Sequence, residues 1–481
     1  MGENNSKKGG KYRYLAGNIA LFSISNFVSK ILVFLLVPLY TNVLTTYEYG
    51  VADIMQVTLL LLVPALTLNI GEAALRFGIE KADKRGTILK IGLHYVIRAD
   101  AIVVGLCVVG FALFDDTIRK YLLLFAVLFI ANSLYEFLVL FFQGSELVPA
   151  VVIGSVSSTI ITIVANIVFL LVIRIGLNGY ILSQIIAYIC ASLIMLLVGK
   201  SAGRDFKLYD DEVMKKEMVS YGVPLIAYST GSWVNNAADR YLVAGMCGAA
   251  VNGVYGVAYK IPAILMVFQR IFAQAWQMSA TKSYKENDSV GFFSQMYRLY
   301  NSFMVVGCSA LILAVRPLAT FLFKRDFFDA WMYVPPLLIS VIFGALTGFL
   351  GSICLAYKDS KSMGVATGIG AVANVVLNIV LIPIFGAAGA AWATAFSYFL
   401  MCMLAYGFVG RYVKLENNLV YELAGYAVIV VQAVLMIMQV KGVYIWCTAA
   451  FAILVAMNIA GLKAIVLKAA DIVKSKISGK R

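Results

Sequence analysis

The sequence predicts an all-α integral membrane fold: about fourteen spanning helices in two parallel six-helix lobes, with two more helices at the C-terminal end. Three observations predict it. Of the 481 residues, 62% are hydrophobic and 13% charged, where a soluble domain carries about a quarter charged. The apolar residues are gathered into runs near the roughly 20 that one bilayer crossing needs. Short motifs of the first half recur in order in the second. A soluble chain of this length has no interior large enough to hide so much apolar surface.

The first-half runs cover residues 15–40, 48–70, 88–113, 121–142, 149–173 and 178–199. Those of the second half cover 220–246, 252–275, 294–315, 333–356, 362–383 and 387–410, and two more follow at 419–438 and 443–465. The domain reading is an N-lobe over 1–199, a linker over 200–219, a C-lobe over 220–411, and helices thirteen and fourteen with a basic tail over 412–481. An even count puts both termini on one side. If that side is the cytoplasm, the inner loops and tails collect most of the lysines and arginines. The outer connections hold only Arg119, Lys120, Arg174, Arg316, Lys324, Arg325 and Lys441. That bias is the positive-inside pattern of a multi-pass protein of the cell membrane. Thirty-nine glycines against nine prolines suit helices that pack closely in lipid. In the linker, Asp210-Asp211-Glu212 precedes Val213, Met214 and Met218, which predicts the start of a short helix lying at the membrane surface. No cleavable signal is expected, because the first apolar run is too long and ends without a small-residue cleavage site.

Composition also excludes whole classes of function. The net charge of +14 sits at the ends of apolar runs, so it points to anionic membrane lipids as partners and not to nucleic acid. Seven cysteines are scattered singly without a CxxC, and His94 is the only histidine, so neither a structural metal nor a disulfide framework is expected. There is no GxxxxGK[ST], GxSxG or HExxH run, and the outer connections are too short for a catalytic domain. The expectation is a transporter, not an enzyme, with no cofactor. Its energy would come from an H+ or Na+ gradient, the cargo gradient or another subunit.

The internal repeat rests on three matches. Tyr49-Gly50-Val51-Ala52 recurs as Tyr255-Gly256-Val257-Ala258, and Asn166-Ile167-Val168 as Asn378-Ile379-Val380. Gly176, Gly179 and Tyr188 recur at the same spacing as Gly386, Gly389 and Tyr398, each about 210 residues on. Six helices per half make the repeats parallel, related by an axis along the membrane normal, with a transport site expected near the midplane.

Polar residues inside the spans are costly and call for a reason. In the first helix Ser23, Asn26 and Lys30 share one face, and the repeat maps them onto Ser229, Ser232 and Asn236. Ser229, Trp233, Asn236 and Arg240 likewise form one stripe of the seventh helix. An aromatic, amides, hydroxyls and fixed positive charge suit a sugar phosphate better than a hydrophobic drug cation. For Lys30 and Arg240 the competing reading is snorkelling to the interface. A salt bridge between Asp239 and Arg240 is not the easy explanation, since adjacent residues do not face each other. Lys260 and Arg270 lie toward opposite ends of the eighth helix, and Arg270 also fits an interfacial anchor. His94, Arg98 and Asp100 in the third helix form either a coupling-ion site or an interhelical brace, with Glu136 as a partner for Arg98. Glu72 and Arg76 have the i, i+4 spacing that stabilises a helix end.

Asn26-Phe27-Val28-Ser29-Lys30, Val37-Pro38-Leu39-Tyr40-Thr41, Leu44-Thr45, Glu48-Tyr49-Gly50 and Glu72-Ala73-Ala74-Leu75-Arg76-Phe77 together resemble the opening of Wzx-type polysaccharide and O-antigen repeat-unit flippases. Those belong to the multidrug/oligosaccharidyl-lipid/polysaccharide exporter (MOP) superfamily. The resemblance implies a V-shaped, two-lobe protein of the bacterial cytoplasmic membrane. By alternating access it would carry an undecaprenyl-pyrophosphate-linked oligosaccharide from the cytoplasmic to the outer leaflet, alongside other polysaccharide-assembly proteins. It also implies that a basic cavity receives the pyrophosphate, with Lys30, Arg76, Arg240, Lys260 and Arg270 as candidates. A lipid II flippase or a cation-coupled drug antiporter of the same superfamily is the rival reading. A cation exporter would be marked by carboxylates dominating its cavity.

Overall fold

The computed structural model describes residues 34–113, 116–201, 209–285 and 290–459, and these contain helices and no strand. The chain divides into two compact units, Met1–Trp233 and Val234–Arg481. The division falls inside one helix, Glu212–Cys247.

In the first unit the described helices are α1 (Val37–Val43), α2 (Thr46–Leu66), α3 (Ile70–Glu80), α4 (Arg85–Leu113), α5 (Asp116–Gly144), α6 (Val148–Asn166) and α7 (Gly176–Ser201). The first part of α8 (Glu212–Cys247) completes it. Local sequence sets the starts. Pro38 and Pro149 occupy first-turn positions, where a missing N–H costs nothing. Thr45 and Glu48 form a reciprocal capping box at α2, with the Glu48 N–H donating to Thr45 Oγ1 at 3.2 Å and the Thr45 N–H to Glu48 Oε2 at 2.9 Å. Between α2 and α3 the chain breaks at Leu68 and Asn69, both with positive φ. Two buried clusters hold the unit together. One joins α3, α4 and α5 with the start of α8 through Ile70, Phe77, Tyr95, Phe141 and Met218. The other joins α2, α4, α5 and α7 through Met55, Ala99, Phe129 and Ile181.

The second unit holds the rest of α8 with α9 (Ala249–Ala258), α10 (Pro262–Lys285), α11 (Val290–Leu313), α12 (Val315–Leu322), α13 (Val334–Ala356), α14 (Ser360–Phe385), α15 (Ala387–Val409), α16 (Leu419–Ile437) and α17 (Val443–Met457). Its centre is α13, buried along most of its length. Outer helices such as α14 instead leave Val372, Val376, Ile379, Val380 and Ile384 exposed, the surface expected where lipid is the solvent.

Among the described residues ten helices are long and apolar enough to cross a membrane, or eleven if α9 and α10, bent by 50°, count as one span. These ten or eleven match runs predicted from the sequence. The run at 15–40 lies mostly outside the described residues, and α17 has 15 residues. The seventh run is a helix, but Ser229, Ser232, Asn235, Asn236, Asp239 and Arg240 make it polar, and it is not among the ten. Two expectations need correction. The linker start is not a separate surface helix, because α8 runs on without a break for 36 residues. The eighth span is not one rod, since the chain turns at Tyr259–Ile261 and Lys260 sits in that turn.

Ion pairs fasten the start of α8 to the first unit. Lys84 Nζ lies 2.8 Å from Asp211 Oδ2 and Lys90 Nζ 2.7 Å from Asp210 Oδ2, while Lys81 pairs with Glu217. Asp211 also caps α8, its Oδ1 accepting the Met214 N–H at 2.9 Å. The Lys84 ammonium first, and then the Met214 amide, hold the Asp211 carboxyl below its usual range. A depressed folded pKa means that the stabilisation is complete above the unfolded value and is lost as pH falls through the folded one. Amide protection in the first turn of α8 is therefore expected to fall several-fold below about pH 4. Lys84→Glu should reproduce that loss at neutral pH. Hydrogen exchange, corrected for intrinsic rates, measures both, and unchanged protection in the variant would refute the assignment.

Candidate functional site

Each unit contains a polar interior that its helices assemble locally. In the second, Asp239 of α8 is 3% exposed. Its Oδ2 accepts hydrogen bonds from the hydroxyls of Tyr255 and Tyr259, each at 2.6 Å, and from Thr394 Oγ1 of α15 at 3.3 Å. Its Oδ1 accepts the Arg240 N–H at 2.9 Å. Tyr255 and Tyr259 are four apart on α9 and at its end, which brings both hydroxyls to one carboxylate. The set continues into α14. Asn374 Nδ2 donates to Thr394 Oγ1 at 3.3 Å, and Asn378 Nδ2 to the Asn374 backbone carbonyl at 2.8 Å. The Arg240 guanidinium meets this set at Tyr259. It lies over the Tyr259 ring, 4.4 Å from the centroid, a cation–π contact that fixes its position. The exposed Asn236 accepts from the Tyr398 hydroxyl at 2.8 Å.

The repeat read from the sequence has a physical counterpart here. Asn166 and Asn378 each donate to the carbonyl four residues back, at Thr162 and Asn374. In both, the buried Oδ1 accepts no hydrogen bond. Gly176 and Gly386 both adopt positive φ, +54° and +60°, so the motif marks the same left-handed turn between helices in each half.

The first unit holds an open cavity of about 350 Å³ lined by α2, the break after it, α3, α4, α5, α7 and Ser229 in the middle of α8. Its polar lining includes Gln56, Asn69, Glu72, Asn132, Ser133 and Glu136. The break supplies Asn69, whose Nδ2 donates to Ser229 Oγ at 3.3 Å. Gln56 and Gln184 are joined by a short hydrogen bond. Ser133 donates to Asp100 Oδ1 at 2.7 Å. Trp233 is tied to α2, its Nε1 donating to the Val57 carbonyl at 2.7 Å.

The predicted site residues distribute as follows. Asp239, Arg240 and Asn236 come together in the second unit. Glu136 lines the first unit's cavity, and Asp100 accepts from Ser133, which also lines it. Arg98 and His94 do not join them: both are exposed on another face of α4, and Asp100 turns to Ser133. Glu136 faces the cavity and makes no ion pair with Arg98 among the described residues. Arg76 is exposed and reaches forward to Glu80 at 3.0 Å, stacking on Tyr221, so its i, i+4 partner is not Glu72. Arg270 is exposed beside Phe268 and Ile271, as an interfacial anchor would be. Asn26 and Lys30 lie outside the described residues. Sequence reasoning missed Tyr255, Tyr259, Asn374, Asn378 and Thr394 as one network. The available signal was two polar pairs at i, i+4 inside apolar runs. No three metal-ligating side chains gather among the described residues.

Comparison with known proteins places this geometry. No curated protein sequence matches the chain. Among solved structures it is similar to "Lipid II flippase MurJ, inward closed conformation", at TM-score 0.66 and 14% identity over 94% of this chain and 100% of that one. It is also similar to an inward-facing multidrug resistance MATE family transporter of the MOP superfamily, at TM-score 0.68 and 11% identity over 82% and 98%. A third is a MOP superfamily transporter from Pyrococcus furiosus, at TM-score 0.52 and 12% identity over 83% and 94%. At these identities the likeness establishes the fold alone, one that the chain shares with those proteins. The family model described as "Polysaccharide biosynthesis protein" matches residues 15–278, more than half of the chain. On that match the chain belongs to the polysaccharide biosynthesis protein family.

Proposed function

We propose that the protein is a flippase that carries an undecaprenyl-pyrophosphate-linked oligosaccharide from the cytoplasmic to the outer leaflet by alternating access. The observation that carries this reading is the match to polysaccharide biosynthesis proteins on a chain with a MOP transporter fold. In it, the lobes are residues 1–199 and 220–411, joined by 200–219 and followed by 412–481, with both termini cytoplasmic. Arg240, held over Tyr259, supplies a positioned positive charge for the pyrophosphate, with Lys260, Arg76, Arg270 and Lys30 as further contacts and Asn26, Trp233 and Asn236 toward the sugars. The Asp239 network is the coupling-ion candidate, because a carboxylate with three hydroxyl donors exchanges protonation or cation contacts as those donors move.

One observation favours the second reading, a cation-coupled drug antiporter: among the described residues the first unit's cavity carries Glu72 and Glu136 and no lysine or arginine. Proteoliposomes separate the two. The purified protein should expose a fluorescent undecaprenyl-pyrophosphate-linked oligosaccharide to a membrane-impermeant quencher, and should not move tetraphenylphosphonium. Arg240→Glu should slow the flipping by about tenfold or more, since it replaces a contact to phosphate with a repulsion. Movement of the organic cation without the lipid would overturn the flippase reading.

A further inference from the structure

The first unit's cavity is chemically unlike a site for pyrophosphate. Its two carboxylates, Glu72 and Glu136, make no hydrogen bond or ion pair among the described residues, and both are accessible from the cavity. Two carboxylates lining one cavity make it acidic and favour a cation there. No lysine or arginine among the described residues lines the space, so those residues offer a phosphate or uronate only repulsion. The volume of about 350 Å³ lies at the lower end of organic-ligand pockets and well above the space one bare ion or water fills. Around the carboxylates stand amides at Gln56, Asn69 and Asn132 and the aromatic ring of Tyr188. Amides and carboxylates match sugar hydroxyls, which both donate and accept, and an aromatic ring suits the apolar face of a pyranose.

Resting on the flippase reading, we propose that this cavity is a glycan subsite that takes one sugar residue bearing a free amino group, its ammonium held by Glu72 and Glu136. The break at Leu68–Asn69 contributes directly, since it brings Asn69 and the first turn of α3, with Glu72, to the cavity wall. The subsite selects what the transported glycan contains, whereas Arg240 deals with the charge that every pyrophosphate-linked cargo shares.

The test uses the full chain in lipid nanodiscs and three probes: the β-1,4-linked glucosamine disaccharide, its di-N-acetylated form, and a glucuronate-containing disaccharide. Saturation-transfer NMR titrations should rank the free-amine disaccharide about tenfold tighter than either of the others. Glu136→Gln and Glu72→Gln, which keep the shape of the side chains, should each reduce that preference to about threefold or less. Melting temperatures confirm that the variants fold. Equal binding of all three probes, or a preference unchanged in the E72Q/E136Q double variant, overturns the inference. So does loss of ²²Na⁺ binding in E136Q with the amine preference intact, which would make the cavity an inorganic cation site. Flipping in proteoliposomes of a lipid-linked glycan with a free amino group, and of its acetylated form, is scored separately. Failure of both sinks the flippase reading, while flipping of both without an amine preference in binding sinks only the subsite.

Discussion

Asp239→Ala is expected to cut transport by more than tenfold and to destabilise the second unit. The carboxylate is almost fully buried and accepts from Tyr255, Tyr259, Thr394 and the Arg240 amide. Hydrogen bonds to a charged group contribute about 1.5–3 kcal/mol each. The loss is not their simple sum. Tyr255 and Tyr259 hydroxyls are already 3.2 Å apart and can satisfy each other once the carboxylate is gone. Thr394 keeps Asn374 as a partner. Tyr255→Phe and Tyr259→Phe alone should therefore cost less than Asp239→Ala. A double-mutant cycle of Asp239→Ala with Tyr255→Phe should return a coupling of about 1–3 kcal/mol, because the two groups are in contact. A purely structural role and a coupling role separate with Asp239→Asn. That variant keeps the volume and part of the hydrogen bonding while removing the charge. It should fold, flip slowly, and lose any stimulation by an H+ or Na+ gradient. If Asp239→Asn is stimulated by the gradient as fully as the unchanged protein, Asp239 is only a brace.

This network also shows what could be read from the sequence and what could not. Span positions follow from composition, because lipid imposes a length and a polarity on every crossing helix. The predicted run at 362–383 and the helix Ser360–Phe385 accordingly coincide. The repeat was legible because its glycines and asparagines answer backbone requirements that are local. The partners of Asp239 were not legible. They come from α9, its following turn and α15, and the direction of a side chain within a span depends on how far each helix is rotated about its axis. Arg98 failed for the same reason. It lies two residues from Asp100, so a helix turns the two side chains by about 200°, and a sequence window cannot say which of them faces protein. The bend after Ala258 was hidden too, since Tyr259-Lys260-Ile261-Pro262 reads as continuous apolar helix with a tolerated proline.

Gly389→Ala is expected to be the most damaging single-methyl change in the second unit. At Gly389 the start of α15 presses against the last turns of α14, and an added Cβ would overlap the Leu381 carbonyl group, with the carbonyl carbon only 2.6 Å away. That neighbour is backbone inside a helix and has no rotamer to yield. Overpacking costs about 1–3 kcal/mol where side chains can adjust, and here the two helices themselves must separate. The repeat supplies the control. At Gly179, the matching position, the nearest atoms are the Phe169 Cβ at 2.8 Å and the Ile175 side chain at 2.9 Å. Ile175 can rotate, and the nearest backbone atom, the Phe169 carbonyl oxygen, is 3.3 Å away against 2.3 Å for the Leu381 oxygen at Gly389, so Gly179→Ala should be milder. Gly386→Ala separates crowding from conformation, because nothing lies within 4 Å of its Cβ site while its φ is +60°. Its cost is then backbone strain alone, about 1–3 kcal/mol, because φ +60° with ψ −146° is a conformation that suits glycine. Thermal unfolding in one detergent should rank the three as Gly389→Ala lowest in melting temperature, with Gly386→Ala and Gly179→Ala above it. If Gly389→Ala melts with or above Gly179→Ala, the close approach of α14 and α15 is not what requires glycine there. The shared motif would then reflect only the left-handed turn at Gly176 and Gly386.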